Sequence, residues 1–98
     1  MSYRLRFDRQ FLRALEALPG DVRSVARRQV RDLADNPRPS GAKELDEHPT
    51  YYRLWLPRGH RLVWQVLEEE CVVDLLYAGP KLPDLYARLR LGRLPAEG

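Results

Sequence analysis

The sequence has little cysteine, histidine and lysine, and it lacks any long hydrophobic run. The single cysteine, Cys71, cannot form an intramolecular disulfide, which is typical of proteins from the reducing cytosol. No apolar stretch approaches the length of a membrane span and no signal peptide opens the chain, so we expect a cytoplasmic protein. Neither histidine has a sequence-level link to Cys71, and the cysteine is therefore interpreted as inert rather than catalytic.

Lysine is rare: 15 of the 17 basic residues are arginine. The 14 acidic residues bring the formal net charge down to +3, which permits nucleic-acid binding without requiring it. Guanidinium groups match the geometry of phosphates, so the arginine bias favours a phosphate-bearing partner. A high-GC genome would produce the same bias, and composition alone does not separate these two explanations.

Hydrophobic periodicity predicts a strand, two helices, three strands and a short final helix. Residues 2–7 alternate as a half-buried strand, and two helices with apolar residues at three- and four-residue spacing follow the predicted N-caps Asp8 and Asp21. The second helix ends before Asn36-Pro37, and residues 43–49 are interpreted as charged and irregular. The remaining elements are predicted at Tyr51–Leu56, His60–Leu67, Cys71–Ala78 and, for the short helix, Leu82–Leu91.

This order of elements predicts an α+β domain that occupies residues 1–98, with 92–98 as a frayed tail. An N-terminal strand precedes an antiparallel two-helix hairpin, which packs on one face of a small, mainly antiparallel sheet. A short C-terminal helix closes the chain. The other face of the sheet is expected to be open.

Each strand of the most distinct hairpin carries an arginine, Arg53 or Arg61, among large apolar residues. Alternation places both arginines on the open face together with Trp55 and Val63. The opposite face packs under the helices and contains Tyr52, Leu54, Leu56, Leu62, Trp64 and Val66.

Like charges on facing strands destabilise a sheet, so this pair of arginines suggests an anion between them. The anion is either a carboxylate of the protein or a phosphate of a ligand. Asp74 and the Glu68–Glu70 turn are the candidate carboxylates. If Arg61 instead faces a ligand from the open side, its truncation should leave no core cavity and change stability little.

Further basic and aromatic residues are candidates for RNA binding. Arg23, Arg27 and Arg31 recur every four residues along the second helix with Arg28 beside them, a pattern typical either of a phosphate-binding stripe or of a solvated face. Lys43 is a similar candidate. Trp55 could stack on a base or be buried by a partner protein. His60 is interpreted as a strand-end residue and His48 has no assigned role.

Four segments together resemble the RelE/ParE superfamily of bacterial toxins, with the RelE branch the closer match. They are NPRPSGAKEL, YYRLWL, GHRLVWQV and LLYAGPKLPDLY, and the resemblance covers roughly residues 3–89 in the right order. The most specific part is G-x-R-L-V-aromatic-x-V at residues 59–66.

The resemblance implies a toxin of a toxin–antitoxin pair. Its expected partners are the ribosome, mRNA and a cognate antitoxin, with which it would form a hetero-oligomer. Proteins of the RelE branch cleave mRNA in the ribosomal A site, without a metal or other cofactor, by attack of a ribose 2′-hydroxyl on the adjacent phosphate. Their sites rely on basic residues rather than on a pair of histidines.

The resemblance also assigns roles to individual residues. Arg61 falls on the strand arginine that contacts the scissile phosphate, and Arg53 falls on a strand position that is usually basic. Lys81 falls on the basic position that helps the leaving group. Tyr86 falls near a tyrosine that stacks on or orients the RNA.

The sequence departs from the family pattern in two places. Trp55 stands where better-studied members carry a second lysine that is proposed as a base, and the stretch from Lys81 to Tyr86 is one residue shorter. Arg61, Lys81 and Tyr86 favour a ribosome-dependent endoribonuclease. Trp55 favours two alternatives, which are a ParE-like inhibitor of DNA gyrase without enzymatic activity and a binding protein whose catalysis has decayed.

Overall fold

The computed structural model describes residues 2–91, which form three helices and a mixed five-stranded sheet. This confirms the predicted α+β class. The predicted frayed tail, 92–98, lies outside the described residues. In chain order the elements are β1 (Arg4–Arg6), α1 (Arg9–Glu16), α2 (Gly20–Asp32), β2 (Lys43–Leu45), β3 (His48–Leu56), β4 (His60–Leu67), β5 (Val72–Pro80) and α3 (Leu85–Leu89).

The strands lie in the order β1-β5-β4-β3-β2, with β1 parallel to β5 and every other pair antiparallel. Short 3-10 turns at Pro57–Gly59 and Glu68–Glu70 join the three long strands. Cys71 belongs to the second turn, with φ of +54°, so the predicted strand start is one residue early.

The prediction that residues 43–49 are irregular is wrong, because they contain β2 and the start of β3. Lys43 pairs with Arg53 and Glu44 pairs with Tyr52 along the edge of the sheet. Charged side chains are a usual feature of edge strands, where they discourage pairing with other chains. The same charges removed the hydrophobic alternation on which the sequence prediction depended.

The two helices begin differently. Asp8 caps α1 as predicted, since its Oδ1 accepts a hydrogen bond from the Phe11 amide at 2.8 Å. Asp21 does not cap α2, because the helix begins two residues earlier, at Gly20, and Pro19 takes the N-cap position with φ of −54° and ψ of 148°. Asp21 lies in the first turn and pairs with Arg58 at 3.3 Å.

The main core lies between the helical hairpin and the sheet, as predicted. Trp64 is fully buried at its centre, stacks on Tyr52 with ring centroids 6.1 Å apart, and donates its indole N–H to the Pro37 carbonyl at 3.0 Å. Burial of so large a ring is a major source of hydrophobic stabilisation. The helices and strands contribute Phe11, Leu15, Leu18, Val22, Ala26, Leu33, Leu54, Leu56, Leu62 and Val66.

The opposite face of the sheet is not fully open, contrary to the prediction. A second core forms there because α3 folds back over β4 and buries Leu85 against Val63, which is fully buried rather than exposed. Leu45 and Leu91 complete this core. What stays accessible on this face is a cleft between α3 and the turn from β2 to β3.

Among residues 2–91, no helix combines the length and apolar character that crossing a membrane requires.

Candidate functional site

The cleft lies on the sheet face opposite the helical hairpin and has a volume of about 320 Å³. The strand register brings cations from three strands to it: Lys43 on β2 pairs with Arg53 on β3, and Trp55, two residues further along, pairs with Arg61 on β4. Tyr86 from α3 forms another part of the wall. The structure therefore brings together five of the residues that the sequence singled out.

Arg61 is the most unusual residue of the cleft, because it is charged and only 4% exposed. Its guanidinium carbon lies 4.0 Å from the centroid of the Trp55 ring and 5.9 Å from that of Tyr86, and its Nη1 donates a hydrogen bond to the Tyr86 hydroxyl. Within residues 2–91, the buried Nε of Arg61 has no hydrogen-bond partner. Burying a guanidinium without a carboxylate is costly, so the site has a strong preference for an anion.

The burial of Arg61 corrects the expectation that this side chain projects from an open face. The physical cause is the packing of α3, which carries Tyr86 over the guanidinium, together with the Trp55 ring from the neighbouring strand. Truncation of Arg61 therefore removes packing as well as charge. We expect it to lower the free energy of unfolding by more than truncation of an arginine on an open face would.

Arg53 is half-buried beside Arg61 but is not directly opposite it. The residue opposite Arg53 is Val63, and the guanidinium carbon of Arg53 lies 5.7 Å from the Trp55 ring centroid. Trp55 is 53% exposed and contacts both guanidinium groups. Cation–π contact with one aromatic ring offsets part of the repulsion between two neighbouring guanidinium groups.

The candidate carboxylates do not pair with these arginines. Asp74 pairs with Arg6 at 3.3 Å, and Glu68 pairs with Arg38 at 2.7 Å. Hydrogen bonds from Arg38 and from Tyr3 hold the pKa of the Glu68 carboxyl below its usual range. The interpretation of the cleft arginines as partners of these acids is therefore wrong, because other arginines occupy them.

Lys81 is not among the residues that line the cleft. It follows the end of β5, its side chain is exposed, and its amide donates to the Gly59 carbonyl at 3.0 Å. This contact holds Lys81 beside the turn between β3 and β4, near the strand position Gly79 that pairs with Arg61.

The basic stripe on α2 lies on the other face of the sheet, because α2 packs in the main core. Two of its members have structural partners: Arg23 donates to the carbonyls of Glu16 and Leu18 at 2.9 and 3.3 Å, and Arg27 pairs with the Glu16 carboxylate. These contacts tie α1 to α2. Arg28 and Arg31 are exposed on the same helix.

The cleft also contains residues that sequence reasoning missed. Glu44 at the end of β2, Asp46 and Glu47 on the turn, and His48 at the start of β3 all line it. They were missed because residues 43–49 show no hydrophobic alternation, so the segment was interpreted as irregular and no face could be assigned to its side chains. His60, the other histidine, donates a hydrogen bond from Nδ1 to the Pro57 carbonyl, 3.0 Å away, which agrees with its interpretation as a strand-end residue.

Solved structures share this fold. A mutant of the Escherichia coli toxin RelE in the free state superposes with a TM-score of 0.73 at 28% identity, covering 89% of this chain and 93% of that chain. A chain of the intact E. coli RelBE toxin–antitoxin complex gives 0.71 at 30% identity, covering 83% and 99%. The architecture is thus that of a RelE-like toxin.

Sequence comparison narrows this class to a family. The E. coli K12 protein named mRNA interferase toxin RelE is 32% identical over 82 residues, which is 83% of this chain and 85% of that protein. The mRNA interferase RelE of Shigella flexneri matches equally well. No protein-family model matches the sequence. The chain belongs to the RelE family, within the RelE/ParE superfamily.

Proposed function

We propose that this chain is the toxin of a toxin–antitoxin pair, an mRNA interferase that cleaves mRNA in the ribosomal A site and acts in the cytoplasm with a cognate antitoxin as its partner. Its relatives are named mRNA interferases, and related chains form toxin–antitoxin complexes. The gyrase-inhibitor alternative is not favoured by these relatives. The observation that carries the proposal is the buried Arg61 guanidinium, which has no carboxylate partner among residues 2–91, in a cleft with two further cations.

The chemistry required is stabilisation of a negatively charged phosphorus centre. In-line attack by a 2′-hydroxyl builds charge on the non-bridging oxygens, and fixed cations at that point supply the largest catalytic contribution in many enzymes. Arg61 keeps its charge at any working pH and can hold two oxygens. In our proposal a phosphate oxygen takes the hydrogen bond that the Tyr86 hydroxyl accepts from Arg61 in this structure.

The other cleft residues bind and orient the RNA in this proposal. Arg53 and Lys43 contact phosphates on either side of the scissile one, and Tyr86 positions a base or ribose once its hydroxyl is displaced. Lys81, at the end of β5, assists the leaving group from the sheet end that carries Gly79. Arg28 and Arg31, on the far side of the sheet, contact ribosomal RNA in this proposal. Arg23 and Arg27 contribute less to that contact, because both already have partners within the protein.

Expression of this chain alone is expected to arrest growth by stopping translation. Pulse labelling after induction should show loss of amino-acid incorporation before any DNA damage response. Co-expression of an acidic antitoxin should restore incorporation, because its carboxylates would neutralise the cations of the cleft. An SOS response with intact early translation would instead indicate gyrase as the target and would contradict the proposed function.

Truncation of Trp55 should weaken cleavage without unfolding the protein. Trp55→Ala removes a cation–π contact worth about 0.5–2 kcal/mol, so we expect the cleavage rate on ribosome-bound mRNA to fall about 2- to 30-fold. Because Trp55 is 53% exposed, the thermal midpoint should change little. Trp55→Phe keeps an aromatic face over Arg61 and should recover most of the rate; an alanine variant as fast as the parent would exclude this contact from the mechanism.

A further inference from the structure

The proposed reaction needs a group that accepts the proton of the attacking 2′-hydroxyl. None of the residues assigned above is suited to that task, but one further side chain of the cleft is. His48 lines the same cleft as Arg53, Arg61 and Tyr86. The family position that would carry a lysine base is Trp55 here, and indole cannot take up a proton at neutral pH. Guanidinium groups are equally unsuited, since they stay protonated.

The backbone at Thr50 is what turns His48 toward the cleft. Thr50 has a φ of +75°, and the register between β2 and β3 shifts at the same place, so His48 pairs with Leu45. Leu45 belongs to the core on the cleft side of the sheet. The His48 ring meets Tyr51 edge to face at 6.3 Å and 81°.

This conformation is strained and is held in place from two sides. A positive φ is unfavourable for a β-branched residue and costs about 1–3 kcal/mol. The Glu44 carboxylate accepts the Thr50 amide at 2.8 Å, and the Gln65 side chain donates to the Thr50 hydroxyl at 3.0 Å. Strain that neighbouring residues maintain is common where a side chain must be aimed at a ligand.

Charges of both signs face His48 across the cleft. Lys43, Arg53 and Arg61 supply cations from β2, β3 and β4. The carboxylate of Glu44 lies on β2 beside it, and those of Asp46 and Glu47 lie on the turn next to it. Two phenols, Tyr51 and Tyr86, complete the titratable surroundings. The cations attract the phosphate on which the reaction occurs, and the carboxylates offset part of the positive charge around the ring.

We propose that His48 is the catalytic proton acceptor for the attacking 2′-hydroxyl, an inference that rests on the proposed function. Imidazole is the side chain whose ordinary pKa of about 6.5 best suits proton transfer at neutral pH. The carboxylates of the turn are weaker bases at that pH.

The step balances without any further reactant. The 2′-hydroxyl proton moves to an imidazole nitrogen of His48 as the O2′–P bond forms. The P–O5′ bond then breaks, and the 5′-oxygen takes a proton from Lys81, the residue assigned to the leaving group, which regains a proton from water. The products are a 2′,3′-cyclic phosphate and a 5′-hydroxyl, and His48 returns its proton to solvent.

Single-turnover cleavage of mRNA on programmed ribosomes, followed between about pH 5 and 8, tests this role. His48→Gln, which keeps a similar shape, should lower the rate about 10²- to 10⁴-fold with little change in KM. The parent rate should rise across the range in which imidazoles lose their proton, and the variant should lose that rise. Added imidazole should restore part of the rate of His48→Ala.

His60→Gln is the matched control, because it removes the other histidine, which lies at a strand end and contacts the Pro57 carbonyl. It should keep both the rate and the pH profile. If the parent cuts and Arg61→Ala does not, but His48→Gln retains the parental rate and profile, the role of His48 is wrong and the proposed function stands. A slow His48 variant with an unchanged pH profile and no imidazole rescue also overturns it, in favour of a structural role. A parent chain that does not cut ribosome-bound mRNA would overturn both.

Discussion

Arg61→Ala should abolish mRNA cleavage in a protein that still folds. Loss of one preorganised donor to the phosphate is expected to lower the rate by a factor of about 10²–10³. Stability should change by only about 1–2 kcal/mol, because the variant loses the contact with Trp55 but also removes a buried charge that has no carboxylate partner among residues 2–91. Ribosome-bound mRNA cleavage and thermal melts on the same preparations measure the two effects separately.

Two further variants sharpen the result. Arg61→Lys should recover activity only partly, since a point charge cannot hold two oxygens as a guanidinium does. Arg58→Ala is the control: it lies three positions earlier in the adjoining turn and pairs with Asp21 at the surface, so its loss should not affect the rate. A folded Arg61→Ala protein that cleaves mRNA as fast as the parent would show that Arg61 is not a catalytic residue.

Trp64→Ala should unfold much of the protein near physiological temperature. Loss of a fully buried tryptophan costs about 3–5 kcal/mol, and the Pro37 carbonyl also loses its indole donor. Small domains are stable by only about 5–15 kcal/mol in total, so this is a large share. We expect the thermal midpoint to fall by more than about 12 °C.

The chain contains a natural control for that experiment, because its second tryptophan, Trp55, is 53% exposed. Trp55→Ala should leave the melting curve close to that of the parent while Trp64→Ala shifts it strongly. Equal shifts for the two variants would mean that the ring stacked on Tyr52 is not the centre of the main core.

The faces of β3 and β4 could be predicted from sequence because alternation depends only on local geometry. Alternation places Trp64 and Leu62 under the helices and Arg53 and Trp55 on the opposite side, as the structure has them. The burial of Arg61 could not be predicted in the same way. It depends on α3 returning over β4, and a five-residue helix is positioned by tertiary packing rather than by its own periodicity.

Two other parts of the site, the strand β2 and the orientation of His48, could not be predicted from the sequence. β2 carries charges at an edge and so shows no hydrophobic alternation, although Lys43 was found as a candidate. His48 was not assigned, because the reversal at Thr50 places a positive φ on a residue type that disfavours it. The composition of that segment does not predict the change of side-chain face at Thr50.

The parallel pairing of β1 with β5 has a consequence for how this protein is made. Arg4 to Arg6 can join the sheet only after Val72 to Asp74 has been synthesised, and Tyr86 reaches Arg61 later still. Pairing between strands that are far apart in sequence is slow to form. A nascent chain therefore has no finished cleft until Tyr86 has been synthesised, which is later than the strands that form the rest of the site.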